Sequence, residues 1–262
     1  MSFQEKCERY FEKRNRAIRH LLSKVSSGYE REDFHDLRLE IKRVRAFLTA
    51  VAHLTSMDAR KYLKPYRYLF KKAGRVRDLQ MAGALLAKQR GLKWLQQYRH
   101  ELEMEALLNE KKFYLAANKK AKERLKRVAE KVGPYLKSIK KEKVKEYLQG
   151  EEEKIAKIIG AARISIEEAH ELRKKLKAIG YMSRLIKSKT PTESRKIEKV
   201  QEELGTWHDL GQLAERLKRD AVKQKDKQRK LHMLNLEKTV SKKAAAMFVE
   251  IGRSLRSMSQ TH

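Results

Sequence analysis

The stretch "HDLRLEIKRVRAFL", residues 35–48, decides the fold. Its apolar side chains Leu37, Ile41, Val44 and Leu48, continued by Val51, recur at the three- and four-residue spacing of an α-helix and so share one face. At about 100° per residue, Arg38, Lys42 and Arg45 fall at roughly −60°, −20° and −80° from His35, while the apolar set lies at roughly 160° to 240°. One helix therefore has a core face and a separate, histidine-led cationic stripe, on the order of 15 Å long at about 1.5 Å rise per residue. Like charges at this spacing destabilise a helix, so the stripe needs an explanation.

Helical spacing continues outward from this stretch in both directions. Prolines number only three in 262 residues, and Glu, Lys, Leu, Ala and Arg dominate, which predicts helix throughout and no alternating strand pattern. The predicted helices are 3–25, 33–54, 58–73, 76–90, 92–130, 134–149, 151–162, 166–188, 193–204, 207–224 and 226–257. Breaks are predicted at Gly28, Gly74, Gly91, Gly133-Pro134, Gly150, Thr190-Pro191 and Gly205. Ser165, with Glu168 three residues on, predicts a capping box.

An internal repeat organises the chain. "HDLRLEIK" at 35–42 recurs as "HELRKKLK" at 170–177, and "GRVRDLQ" at 74–80 recurs as "GTWHDLG" at 205–211, at offsets of about 135 and 131 residues. Two elements repeating in order predict duplicated helical halves, 1–130 and 131–262. The second stripe carries His170, Arg173 and Lys177, but Gly180 stands where Arg45 stands in the first. Arg184, one turn further along at roughly −40°, restores a cation to that face, and Tyr181 lies near it. Leu172, Leu176, Ile179 and Ile186 form the opposite, apolar face.

Charge narrows the function. Sixty-four Lys and Arg against 34 Asp and Glu leave a formal net charge of +30, which attracts polyanions: nucleic acid, polyphosphate or an anionic membrane surface. A hydrophobic fraction of 40% is too high for a disordered basic tail, so the polycation is folded. The lone cysteine, Cys7, excludes an internal disulfide framework and suits a reducing compartment. Neither a signal-peptide h-region nor an apolar run of membrane-spanning length is apparent, so a cytoplasmic protein with no membrane insertion is expected.

Four segments, "HDLRLEIKRVRAFL" (35–48), "GRVRDLQ" (74–80), "HELRKKLKAIGY" (170–181) and "VQEELGTWHDL" (200–210), make the sequence resemble the CHAD family, the conserved histidine alpha-helical domain. The resemblance extends over essentially the whole chain. It implies a single all-α domain of two pseudo-symmetric, four-helix-type bundles enclosing a basic central pore or groove, which binds inorganic polyphosphate without catalysis of its own. Carried over by position, His35, Arg38, Lys42 and Arg45 belong to the first histidine-led motif, and His170, Arg173 and Lys177 to the second. Arg77 and Asp78 match the short Gly-led motif, with His208 and Asp209 as its second copy. The family pattern usually has more basic residues after the second lysine; Ala178 and Gly180 occupy those places here.

The chemistry agrees with that expectation. Linear polyphosphate carries roughly one charge per phosphate and no bases to read, so its receptor needs dense cations along a line, Arg as a bidentate fork and Lys as a mobile point charge. Neighbouring cations bias a histidine toward its neutral form, and an arriving anion reverses the bias. The expected binding residues are thus His35, Arg38, Lys42, Arg45, Arg77, His170, Arg173, Lys177, Arg184 and His208, with no cofactor and no metal. Granule association in the cytoplasm is a corollary.

Other readings are weaker. A nucleic-acid-binding protein fits the charge, but no recognised signature accompanies it, and aromatics at 7% are few for base stacking. Glu32-x-x-His35 and Glu167-x-x-His170 have di-iron spacing, yet Arg and Lys share the histidine's face and oppose a metal centre. His208-Asp209 lacks companion ligands for a metal phosphohydrolase. The basic runs 119–127, 137–145 and 218–230 are expected to be solvated faces, and Asp78 and Asp209 to cap helices or pair with cations.

Overall fold

A computed structural model of the chain describes residues 1–24, 28, 30–89, 93–161, 163–186 and 191–259, with side chains for all of these but 31, 184, 186, 191–197 and 257–259. Among the described residues there are nine α-helices and no strand: α1 (Phe3–Ser23), α2 (Arg31–Leu54), α3 (Ala59–Ala87), α4 (Lys93–Ala116), α5 (Lys119–Lys137), α6 (Lys141–Ile159), α7 (Ile166–Ile186), α8 (Pro191–Lys223) and α9 (Lys227–Ser259). Side chains close several of the helix starts, where orphan N–H groups need acceptors. Ser2 and Glu5 form a reciprocal capping box on α1. Asn118 Oδ1 accepts from Ala121 N at 3.0 Å to open α5. Ser165 and Glu168 exchange bonds of 2.7 and 3.1 Å at α7, as the spacing predicts.

The chain divides into two compact units, one of Met1–Gly83, His100–Gly150 and Tyr181–Ser188, the other of Ala84–Arg99, Glu151–Gly180 and Lys189–His262. In the first, α1 packs on α2 and α5. The predicted α2 core face is buried in full: Leu37, Ile41, Val44 and Leu48 are at 0% exposure and Val51 at 1%. At about 2 kcal/mol per side chain those five contribute on the order of 10 kcal/mol before conformational entropy is charged against them. Phe11 stacks on Phe47, and Phe34 meets Phe113 of α4 edge-on, with centroids 5.7 and 5.2 Å apart. The buried Asn15 is satisfied within this core: its Nδ2 donates to Phe11 O, and its Oδ1 accepts from Tyr66 Oη.

In the second unit, α8 and α9 form a helical hairpin across residues 224–226, with Asp226 Oδ1 accepting from Arg229 N at 2.8 Å to start α9. Leu172, Leu176 and Ile179 are buried as the repeat predicts; the side chain of Ile186 lies outside the described residues. Tyr98 Oη donates to Asp220 Oδ2 at 2.7 Å, and Arg216 Nε reaches the same oxygen at 3.1 Å.

Four predicted breaks are absent. Gly74, the Gly133-Pro134 pair, Gly150 and Gly205 all lie inside continuous helices, α3, α5, α6 and α8. A helical glycine costs only about 1 kcal/mol relative to alanine, which tertiary packing overrides, and Pro134, which cannot donate to the carbonyl four residues before it, is carried inside α5 all the same, with Val132 and Leu136 buried beside it. Conversely, the predicted helix 92–130 is two helices that meet at Ala117 and Asn118, a break made by an asparagine cap without Gly or Pro. The predicted break at Gly91 falls outside the described residues. Gly28, between α1 and α2, has φ of 87°, the one positive-φ glycine among those described.

Candidate functional site

In the first unit α2 and α3 run antiparallel, and the faces that meet are those of the two repeated motifs. Residues i, i+4 and i+7 of a helix share a face, so Arg38, Lys42 and Arg45 all point toward one place on α3. That place is the ring of Phe70. The Arg38 guanidinium carbon lies 4.2 Å from the ring centroid, that of Arg45 5.0 Å, and Lys42 Nζ 5.9 Å, all within cation–π range. Arg38 is held further: its Nη1 donates to Phe70 O at 3.2 Å, and its Nη2 is 3.9 Å from Asp78 Oδ1.

Gly74 belongs to this arrangement. A Cβ at Gly74 would stand 2.2 Å from Arg38 Nη1, closer than any real contact, so the guanidinium occupies the space that the missing side chain leaves. The glycine that begins the Gly-led motif is thus not a helix break but a seat for Arg38.

At the other end of the stripe, Arg77 faces His35, and its Nη1 is 3.9 Å from Glu32 Oε1. His35 is exposed as a residue, yet partial desolvation of its ring, then Arg77, and to a lesser degree Lys42, hold its pKa below the ordinary histidine value, against Glu32 and Asp36. Burial, and after it Arg67, likewise lowers the pKa of Arg45. Desolvation leads in both, and the stronger repelling cations, Arg77 and Arg67, stand on α3.

In the second unit α7 and α8 meet in the same register. His170 packs on Trp207 at 4.7 Å and stands edge-on to His208 at 5.1 Å, so the second histidine contacts the residue equivalent to Arg77. Trp207 in turn stacks on Phe248 of α9 at 5.2 Å. Lys177 is half-buried, and desolvation followed by Arg173 lowers its pKa to about 8, with Asp209 opposing. The position matching Arg45 is Gly180, and the one matching Phe70 is Gln201, whose Nε2 donates to Leu176 O at 3.0 Å and lies 3.4 Å from where a Cβ of Gly180 would be.

The structure thus gathers His35, Arg38, Lys42, Arg45 and Arg77 in one unit, and His170, Arg173, Lys177 and His208 in the other. The side chain of Arg184 lies outside the described residues. Asp78 and Asp209 do not cap helices, since both are interior to α3 and α8; they face the cations of the neighbouring helix instead. Sequence reasoning passed over Phe70 and Trp207. The only local signal for Phe70 is its place one turn before Gly74, on the same helix face. Glu32, half of the di-iron pattern, faces Arg77, and among the described residues no three His, Cys, Asp or Glu side chains gather as metal ligands. Nor is any described helix long and apolar enough to cross a membrane.

Comparison with known proteins adds the following. The family described as "CHAD domain" matches residues 9–218. Among solved structures, the crystal structure of the CHAD domain from the plant Ricinus communis superposes with a TM-score of 0.80 at 16% identity, covering 97% of this chain and 92% of that one. PptA from Streptomyces chartreusis superposes with a TM-score of 0.68 at 12% identity over 99% of each chain. No curated protein matches by sequence.

Proposed function

The chain belongs to the CHAD domain family, and we propose that it is an inorganic polyphosphate-binding module that acts by binding and not by turnover. One observation carries the reading: three cations one helical turn apart are drawn onto a single aromatic ring, at 4.2, 5.0 and 5.9 Å, with Arg38 oriented in advance. Holding like charges together is costly unless an anion arrives to offset it. A linear phosphate chain fits, because it offers evenly repeated charge and oxygen acceptors for each Arg fork. The repeated motif supplies a second set of cations, so a long chain gains by engaging more than one set.

In this reading the chain is one domain of duplicated halves, 1–130 and 131–262, and His35, Arg38, Lys42, Arg45, Arg77, His170, Arg173, Lys177, Arg184 and His208 are the residues that hold polyphosphate. The protein would act in the cytoplasm, associated with polyphosphate granules. A nucleic-acid-binding role is the competing reading on charge alone.

Calorimetric titration of the full chain at fixed salt separates the two. Long-chain polyphosphate is expected to bind, and to displace prebound RNA or DNA while neither displaces it. Displacement in the reverse direction would transfer the assignment to nucleic acid. Incubation with polyphosphate and divalent metal is expected to release no orthophosphate.

A further inference from the structure

The two copies of the motif differ by a matched pair of replacements. Arg45 and Phe70 touch across α2 and α3, with the guanidinium carbon 5.0 Å from the ring centroid. Their equivalents, Gly180 and Gln201, also touch across α7 and α8. Where the ring is gone, so is the cation that rests on it, and the amide that replaces the ring turns its donor to the backbone carbonyl of Leu176. At the glycine of the Gly-led motif the copies part again. Gly74 is filled by Arg38, whereas a Cβ at Gly205 would meet nothing within 4 Å.

An arginine side chain loses much of its rotamer freedom when it is fixed on a ligand. In the first copy much of that loss is already taken in the free protein, because Phe70, its carbonyl and the Gly74 gap fix Arg38 before any anion is present. Preorganisation of this kind raises affinity without adding charge.

We propose that Phe70 and Gly74 are positioning residues, which make the first copy an anion cradle of ring and filled gap, and that the Gly180–Gln201 pair and the open space at Gly205 do not reproduce it in the second, so that the two copies bind phosphate chains with unequal strength. This rests on the polyphosphate reading and grades its two sets of cations. The ligand sees the cations; Phe70 and Gly74 act through them. Aromatic character at 70 is what matters, because a half-buried apolar side chain of similar size would fill the space but attract no cation.

Tripolyphosphate, too short to gain from repeated charge along a long chain, is the probe, titrated at several salt concentrations. The unaltered chain is expected to show one strong site. Phe70→Leu should weaken it about tenfold with an unchanged salt slope, since no charge is lost. Phe70→Trp should restore it, which a purely structural role at this position does not require. Gly74→Ala should also weaken binding while leaving thermal stability intact, because the atom displaced is the tip of a flexible side chain. The double change Gly180→Arg with Gln201→Phe should add a second strong site. Wild-type affinity in both Phe70→Leu and Gly74→Ala, or equal losses from lesions in either copy, would overturn the proposal. No binding of any phosphate chain by the unaltered protein would instead remove the functional reading beneath it.

Discussion

The α2–α3 and α7–α8 faces are built on one register, but each spends its aromatic ring at a different end. In the first, Phe70 lies beneath the arginines while His35 meets the cation of Arg77. In the second, Trp207 lies against the histidine and a glutamine occupies the arginine end. A ring under guanidinium groups fixes donors that are always charged. A ring against an imidazole holds the histidine by aromatic contact instead. The two motifs thus share the spacing of their cations and differ in where the ring lies.

The largest expected effect separates the copies directly. Reversing Arg38 and Lys42 together to Glu should lower the affinity for long-chain polyphosphate about a hundredfold or more, since two charge-assisted contacts of about 1.5–3 kcal/mol each become repulsive. Circular dichroism should report unchanged helicity, because both side chains lie off the apolar core face of Leu37, Ile41, Val44 and Leu48. The matching pair, Arg173 and Lys177 to Glu, should cost about tenfold, the lesser loss expected of a face that lacks the ring and the filled glycine gap. Reversal of Lys225 and Lys227, both exposed, serves as control. A loss there as great as at Arg38 and Lys42 would mean that diffuse charge, and not two unequal faces, holds the ligand.

Proton linkage should follow in two pH windows, one at Lys177 and one at His35. Lys177, with its pKa near 8 instead of 10.5, is partly neutral in the free protein around that pH. A bound anion raises the pKa again, so binding takes up protons there, and affinity falls as pH rises from about 8 toward the ordinary lysine range. Titrations in buffers of differing ionisation enthalpy measure that uptake, and Lys177→Gln should abolish it. Stability has the reverse sense: the unfolded lysine holds its proton up to its ordinary pKa, so this group stabilises the fold increasingly as pH rises through about 8. In the first copy His35 titrates below the usual histidine value, so an anion should draw a proton onto it only in mildly acidic solution. His35→Gln should flatten the acidic limb alone. Uptake near pH 8 that survives Lys177→Gln would erase this distinction.

The smallest expected effect concerns Trp207. Trp207→Leu removes the support of His170 and the stack on Phe248. It should destabilise the second unit by about 2–3 kcal/mol, since a largely buried aromatic is cut back, while affinity for tripolyphosphate stays within a factor of about two, well under one contact's worth. Chemical denaturation and calorimetry on the same variant separate the two quantities.

How far the sequence went toward this arrangement follows from the range of the interactions concerned. Leu37, Ile41, Val44, Leu48 and Val51 were legible as a core face because periodicity within one helix is a local property. The pairing of His35 with Arg77, and of His170 with His208, was legible only as a recurrence of motifs, whose contact the chain order does not state. Phe70 was illegible for a further reason: nothing within α3 marks it, and its importance arises from three side chains of another helix. Gly74 and Gly205 misled because glycine was read by its propensity alone, while packing kept α3 and α8 continuous through both. Asn118 misled the other way, ending a long helical pattern by capping the next helix at its first turn.

The seat that Gly74 provides also limits how the protein can be engineered for heat resistance. Replacing an interior helical glycine by alanine ordinarily gains about 0.4–1 kcal/mol by restricting the unfolded chain. Gly83, Gly150, Gly205, Gly211 and Gly252 all have open space where a methyl group would go, so alanine at several of them should raise the melting temperature step by step. The same exchange at Gly74 would leave the melting temperature about where it was and damage the ligand face, so a screen that scores thermal tolerance alone would not reject it.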